Sequence, residues 1–181
     1  MTICVFGASR DDPDPGFFRL GEALGEAMAR RGHAMIFGGG AHGLMGAAAR
    51  GCARGGGTVI GVAPRFFDMP GVLFEQSDEM VLTGTMSERK EIMAGRSDAF
   101  LALPGGLGTL DEIFEVLTLR ALGRDSRPIA FLDYDDYWLG AERMIETAVE
   151  RGFAGTSVRE IYGRFSDPEK CLDYLERGTV R

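Results

Sequence analysis

The run Leu101-Ala102-Leu103-Pro104-Gly105-Gly106-Leu107-Gly108-Thr109-Leu110-Asp111-Glu112 sets a glycine-rich turn between an apolar strand and a helix. Gly105, Gly106 and Gly108 leave bare backbone that an anion can approach closely. Unpaired amides and the positive end of the helix dipole then favour a phosphate at that turn. Glu112 follows one turn into the helix. Acids favour a first helical turn through the dipole alone, and Asp111 and Glu115 are accounted for in that way. Glu112, at its spacing after Pro-Gly-Gly-x-Gly-Thr, reads instead as a functional carboxylate. An anion site with an acid beside it points to chemistry on a phosphorylated small molecule. Thr109 can cap the helix or give its hydroxyl to the phosphate, and both can hold at once.

A second constellation lies upstream. Met86, Arg89, Lys90 and Met93 are three or four residues apart, so they share one face of a helix. Two cations thus sit on the stripe that otherwise looks inward, and burying an unpaired charge is costly. Either these side chains snorkel to the surface or they face an anion. The glycine turn next to them in chain order favours the anion. His42, after the glycine run 38–40, reads as a surface or capping group, and His33 as the start of a strand. Tyr137 and Trp138 read as packing residues at the opening of a helix. Two separated histidines and three scattered cysteines, Cys4, Cys52 and Cys171, have no metal-ligand spacing. No metal and no cofactor are expected.

The elements that must position these groups alternate regularly. Short apolar runs at 3–6, 35–37, 58–62, 80–82, 100–103 and 129–132 predict strands, with a further short strand at 161–162. Helical spacing predicts helices that contain Phe17 to Met28 and that span 44–54, 85–96, 108–122, 137–151 and 168–176. Thr85-x-x-Glu88 has the form of a capping box at the start of one of them. Residues 63–79, broken by Pro64 and Pro70, predict a loop. Unbroken apolar strands in a βαβ rhythm predict an α/β fold: a mostly parallel central sheet with helices on both faces. Such sheets bind ligands at the carboxyl ends of strands, near the switch in strand order. Three glycine turns leave strand ends here: Gly7-Ala8-Ser9, Gly38-Gly39-Gly40 and Gly105-Gly106-x-Gly108. Their convergence would build one site. It is neither a dinucleotide fingerprint nor a Walker loop, because neither G-x-G-x-x-G at the first turn nor Gly-Lys-Ser/Thr occurs.

The 181 residues, 45% of them hydrophobic, predict one domain over 1–181 with a sizeable core. No stretch approaches the roughly 18 apolar residues of a membrane span. Met1 to Gly7 lacks the basic start of a signal peptide and reads as a first strand. An odd number of cysteines suggests reduced thiols in a cytoplasm. A net charge of −7 argues against a nucleic-acid partner, so an anionic substrate needs a local basic site on an acidic surface.

Together these residues resemble the Lonely Guy family, the cytokinin riboside 5′-monophosphate phosphoribohydrolases, long labelled possible lysine decarboxylases. The family's P-G-G-x-G-T-x-x-E is matched from Pro104 to Glu112. Its Arg-Lys pair after a methionine is matched by Met86 with Arg89-Lys90, and its G-G-G-x-x-G-L-M-G from Gly38 to Gly46. Ser97-Asp98-Ala99-Phe100 and Gly152-Phe153 also fit, so the likeness runs in order along nearly the whole chain. The resemblance implies a Rossmann-like three-layer fold and a homodimer. It also implies cleavage of a nucleoside 5′-monophosphate into free base and ribose 5-phosphate. It makes Arg89 and Glu112 the catalytic pair. Lys90, Thr118 and the turn residues Gly105, Gly106, Gly108 and Thr109 become substrate contacts, with Ser9, Gly39, Gly43 and Met86 around them. Departures fall at Ser87, where the family often has His, and at Leu119 and Ala121, where it often has Trp and Gln. They bear on which base is taken. The rival function is a non-catalytic carrier of a nucleotide or phosphate on the same fold. A pyridoxal-phosphate decarboxylase fits poorly, since Lys90 and Lys170 are the only lysines and neither is placed for a Schiff base.

Overall fold

Alternation along each strand decides how the sheet is covered. In Thr2–Phe6 (β1), Ile3 and Val5 point to one face, and Cys4 and Phe6 to the other. Both sets are buried, so both faces need helices. The computed structural model, which describes residues 1–179, supplies them. After β1 come Pro15–Arg30 (α1), Ala34–Phe37 (β2), Gly43–Arg54 (α2), Val59–Pro64 (β3) and Glu79–Thr83 (β4). Met86–Gly95 (α3), Ala99–Ala102 (β5), Leu107–Ala121 (α4) and Ile129–Leu132 (β6) follow, then Leu139–Glu150 (α5), Gly163–Phe165 (β7) and Pro168–Thr179 (α6).

The seven strands form one parallel sheet in the order β4-β3-β2-β1-β5-β6-β7. The chain runs outward from β1 to β4, then returns to place β5 on the other flank of β1. The switch point therefore lies between β1 and β5, where Cys4 pairs with Phe100 and Phe6 with Ala102. Side chains of α1, α2 and α6 (Leu24, Met28, Leu44, Cys52, Leu172) pack on Ile3, Val5, Phe37 and Leu101. Side chains of α3, α4 and α5 (Met93, Ile113, Leu117, Ile145) pack on Cys4, Phe6, Ile36, Phe100 and Phe131. The α1–α2 contact is unusually close. A Cβ on Gly25 would lie 2.0 Å from the Ala48 carbonyl oxygen, and one on Gly51 2.2 Å from the Glu22 oxygen. Alanines and glycines make that approach possible.

Three expectations are corrected. The last strand is Gly163–Phe165, not 161–162, and a 3-10 turn over Thr156–Glu160 precedes it. Ile161 and Tyr162 instead pack sideways into the core, where Tyr162 tilts against Phe131 at 5.0 Å. The segment expected as one loop at 63–79 begins inside β3 and contains a 3-10 turn at Arg65–Phe67. Its later part is held to the second glycine turn, with Ala41 N donating to Val72 O (2.9 Å) and Phe74 N to Gly39 O (2.8 Å). Helix α5 starts at Leu139, which leaves Tyr137 in the turn before it. The Thr85 half of the capping box is present: Thr85 Oγ1 accepts from Glu88 N at 3.1 Å, while the return bond goes one residue earlier. Glu88 reaches back to the Gly84 amide at 2.7 Å. Among the described residues no helix is long and apolar enough to cross a membrane.

Candidate active site

Beyond the carboxyl ends of β1, β2 and β5 lies a cleft of about 920 Å³. Its floor is the glycine turns. Ala8 N donates to Pro104 O at 3.1 Å, and Met45 N to Ala8 O at 3.2 Å, so the turns after β1 and β5 and the start of α2 are tied together. A parallel sheet with its switch point between β1 and β5 produces this opening, because the helices on the two flanks diverge there.

Arg89 and Glu112 meet inside it. Arg89 leaves α3 with only 6% of its surface exposed, and Glu112 leaves α4 with 7% exposed. Arg89 Nη1 donates to Glu112 Oε1, and Arg89 Nε donates to the Val62 carbonyl at 3.1 Å. The guanidinium occupies the space over Gly38, where a Cβ would stand 2.1 Å from Nη2. The glycine after β2 is thus required by the arginine. Burial raises the Glu112 carboxyl above the ordinary carboxylate range, against the opposing pull of Arg89. Desolvation outweighs pairing here because the carboxylate has one strong partner and little water. Burial and the charge of Glu112 push the Cys4 thiol far up.

The glycine turn at the start of α4 is open. Gly106 caps α4 with no side-chain partner, and a Cβ on Gly106 or Gly108 would meet nothing within 4 Å. Between them Leu107 is 86% exposed. Thr109 does not cap the helix, contrary to one expectation. It is the third helical residue and is 3% exposed, and its side chain fills the place where Gly105 would carry a Cβ.

Of the residues singled out in the sequence, Met86, Arg89 and Glu112 line the cleft, with Ser9 on the side of β1. Gly105, Gly106, Gly108 and Thr109 form its base. Four others lie outside it. Lys90 Nζ turns to Glu115 (2.5 Å) and Asp111 (3.1 Å), and these bonds hold its ammonium firmly protonated. Thr118 is exposed on α4, where its hydroxyl donates to Phe114 O at 2.7 Å. Gly39 packs under Ala63 and Met80 at φ +77. Gly43 stands at φ +66, where a Cβ would collide with Ala8 O at 2.2 Å. It is a glycine for reasons of backbone geometry.

Several contributors carried no sequence signal. Asp11 accepts from Gly43 N at 2.8 Å and so caps α2 from another loop; that bond and His42 hold its carboxyl below the usual range. His42 bridges Asp11 Oδ2 (2.8 Å) and Gly71 O (3.0 Å), linking two loops that flank the cleft. Tyr137, expected only to pack, reaches the cleft and donates its hydroxyl to Gly105 O. Trp138 behaves as expected: it is fully buried and stacked on Phe131 at 4.5 Å. His33 does precede β2, but its ring is buried and bonded to Glu176 at 2.8 Å. Among the described residues no group of three or more His, Cys, Asp or Glu side chains could hold a metal ion.

The model of the family described as "Possible lysine decarboxylase" matches residues 45–175. A probable cytokinin riboside 5′-monophosphate phosphoribohydrolase of Oryza sativa subsp. japonica, LOGL3, is 36% identical over 173 residues, covering 96% of this chain and 82% of that protein. The cytokinin riboside 5′-monophosphate phosphoribohydrolase LOG4 of Arabidopsis thaliana is 38% identical over 159 residues, covering 88% and 74%. Among solved structures, the molybdenum cofactor carrier protein of Chlamydomonas reinhardtii superposes with a TM-score of 0.75 at 24% identity, over 99% of this chain and 98% of that one. The molybdenum cofactor binding protein of Rippkaea orientalis gives 0.76 at 23%, over 97% and 95%. Likeness at that identity speaks for the fold alone. The family match and the plant relatives settle the kinship: the chain belongs to the Lonely Guy family, whose members carry the older label of possible lysine decarboxylase.

Proposed function

We propose that this protein hydrolyses the N-glycosidic bond of a nucleoside 5′-monophosphate, AMP or a cytokinin riboside monophosphate, releasing free base and ribose 5-phosphate. The observation that carries the reading is the buried Arg89–Glu112 pair beside the open amino end of α4. The phosphoryl group docks on the Gly105–Thr109 turn, and that remote contact fixes the ribose. A rise of ~1.5 Å per residue puts Glu112 about 6 Å along α4 from Gly108, the scale of one sugar. As the bond from C1′ to the base nitrogen breaks, positive charge builds on the ribose. The Glu112 carboxylate stabilises that charge and orients the water whose oxygen forms the new C1′–O bond, and the proton that this water gives up ends on the departing base. An arginine guanidinium is charged at every working pH, so Arg89 holds Glu112 and the substrate in place and donates no proton.

The rival reading is a carrier without turnover, favoured by the fold shared with two molybdenum cofactor proteins. A plain anion binder gains nothing from a buried carboxylate next to its anion. Purified protein incubated with AMP, and in parallel with isopentenyladenosine monophosphate, separates the two by the appearance of free base. Tight binding with no base released from either sinks the hydrolase reading. We further propose a homodimer, supported by the family resemblance and by two exposed leucines near Thr118, Leu119 on α4 and Leu122 just past its end. A solution mass of one chain removes that part.

A further inference from the structure

Two consecutive residues, Asp135 and Asp136, both stand at φ 54 in the turn between β6 and α5. Neither is glycine, and left-handed backbone in two successive L-residues is costly. The turn is held in that state from both ends. Asp133 accepts from Trp138 N at 3.2 Å and pairs with Arg164 at 2.6 Å. Arg164 also grips Asp136 at 3.2 Å and Glu142 at 3.1 Å. Trp138 anchors the far side, fully buried, with Nε1 donating to Leu132 O at 3.2 Å. What this costly turn delivers to the cleft is Tyr137. Its ring is set by edge contacts to Trp138 at 5.2 Å and Phe17 at 6.3 Å. Its hydroxyl, which those contacts do not need, donates to Gly105 O.

That carbonyl belongs to a peptide unit with glycine on both sides. Rotating the unit changes ψ of Gly105 and φ of Gly106 together, and glycine resists neither change. Gly106 stands at φ −82, and a flip would carry it into the positive region that glycine accepts. The preceding peptide is already tied down through Ala8 N and Pro104 O, and the following one through Leu110 N and Gly106 O at 3.0 Å. We propose that Tyr137 is a positioning residue that locks the Gly105–Gly106 peptide plane and so aims the Gly106 amide at the substrate's phosphoryl group. A trans peptide is planar, so its C=O and N–H point in opposite directions. Tyr137 comes from the turn after β6, and β1 lies on the other flank of β5. With the carbonyl held toward Tyr137, the Gly106 amide is fixed on the opposite side of the same peptide plane. The identity of the ligand rests on the hydrolase reading above; the lock itself needs only a phosphorylated ligand.

The test is Tyr137→Phe, which keeps the ring and removes the hydroxyl. Dissociation constants for AMP and for adenosine are measured by calorimetry on the parent and the variant, alongside thermal melts and turnover. The lock predicts that AMP binds about tenfold more weakly, the scale of one hydrogen bond to a charged group. Adenosine changes less than about twofold, and KM for AMP rises while kcat holds within about twofold. Equal weakening of both ligands, or of neither, overturns the proposal. So does loss of a cooperative melt in the variant, which would put the hydroxyl to work in the fold. A parent that binds neither ligand overturns it together with the site. Selective loss of AMP affinity in a protein that releases no base leaves the lock standing and removes the hydrolase reading alone.

Discussion

Arg89 and Glu112 stand 23 residues apart in the chain, on helices that follow β4 and β5, and share one buried hydrogen bond. A buried ion pair is weak evidence for stability, since desolvating both charges offsets most of their attraction. Here the pair sits in a cleft, next to an open helix start, and the backbone makes room for it at Gly38. The arrangement is better explained by what the pair does to a ligand than by what it adds to folding.

Replacing the carboxylate while keeping its shape tests that reading. Glu112→Gln is expected to lower kcat on AMP by about a hundredfold or more, the usual cost of losing one charge-stabilising group. AMP affinity changes little, because the phosphate contacts lie elsewhere. A variant that turns over at close to the parent rate refutes the role.

The pH profile carries the same information by another route. Burial raises the Glu112 carboxyl above its ordinary value of 4.5. The proposed mechanism needs the carboxylate, so kcat/KM is expected to fall as pH drops through that raised value, with an acid limb above 4.5. For stability the sign is reversed. The native state binds this proton more tightly than the unfolded chain does, so the contribution is present below the unfolded value and lost as pH rises through the raised one. Rates across pH 4 to 9 check the first statement. An acid limb that persists unchanged in Glu112→Gln argues against the assignment.

Gly38→Ala separates folding from catalysis. The new Cβ would lie 2.1 Å from Arg89 Nη2, the free end of a flexible side chain, so the arginine shifts and the fold survives. The melting temperature is expected to stay within a few degrees of the parent, while kcat/KM falls by about tenfold or more through misplacement of the guanidinium. Unchanged activity would show that the guanidinium position is not critical.

Gly25→Ala is the opposite case. Its Cβ would meet the Ala48 carbonyl at 2.0 Å and the Cys52 amide at 2.5 Å, and backbone in a packed helix cannot move aside cheaply. A loss of about 3 kcal/mol is expected, at the upper end of overpacking costs. Urea unfolding measures it, and a stability equal to the parent's means that the α1–α2 spacing is looser than described.

Most of the secondary structure was legible because its signals are short-range. An apolar run four residues long between glycine turns reads as a buried parallel strand wherever it occurs. The glycine turn opening into α4 was legible for the same reason, since a turn, a helix start and Glu112 lie within nine consecutive residues, Pro104 to Glu112. The helix face shared by Met86, Arg89 and Met93 was visible from spacing, and Arg89 and Met93 are buried. The same spacing groups Lys90 with Arg89. Yet Lys90 is drawn off by Asp111 and Glu115 on α4, partners that no helical wheel of α3 contains.

What the chain alone determined, then, was local: an α/β alternation, a glycine-rich turn that opens a helix, and an acid and a basic helix with the types to do chemistry. Only the folded molecule decided which of them meet. The strand order puts β5 beside β1 and lets Arg89 reach Glu112 across α3 and α4. It brings Tyr137, 32 residues downstream, to the carbonyl of Gly105, and leaves Thr118 facing outward. The physical reason is one of range. Propensity, capping and periodicity act over a few residues and are written in neighbours. The meeting of distant side chains depends on crossovers and on the packing of helices against a sheet, which no short window of residues contains.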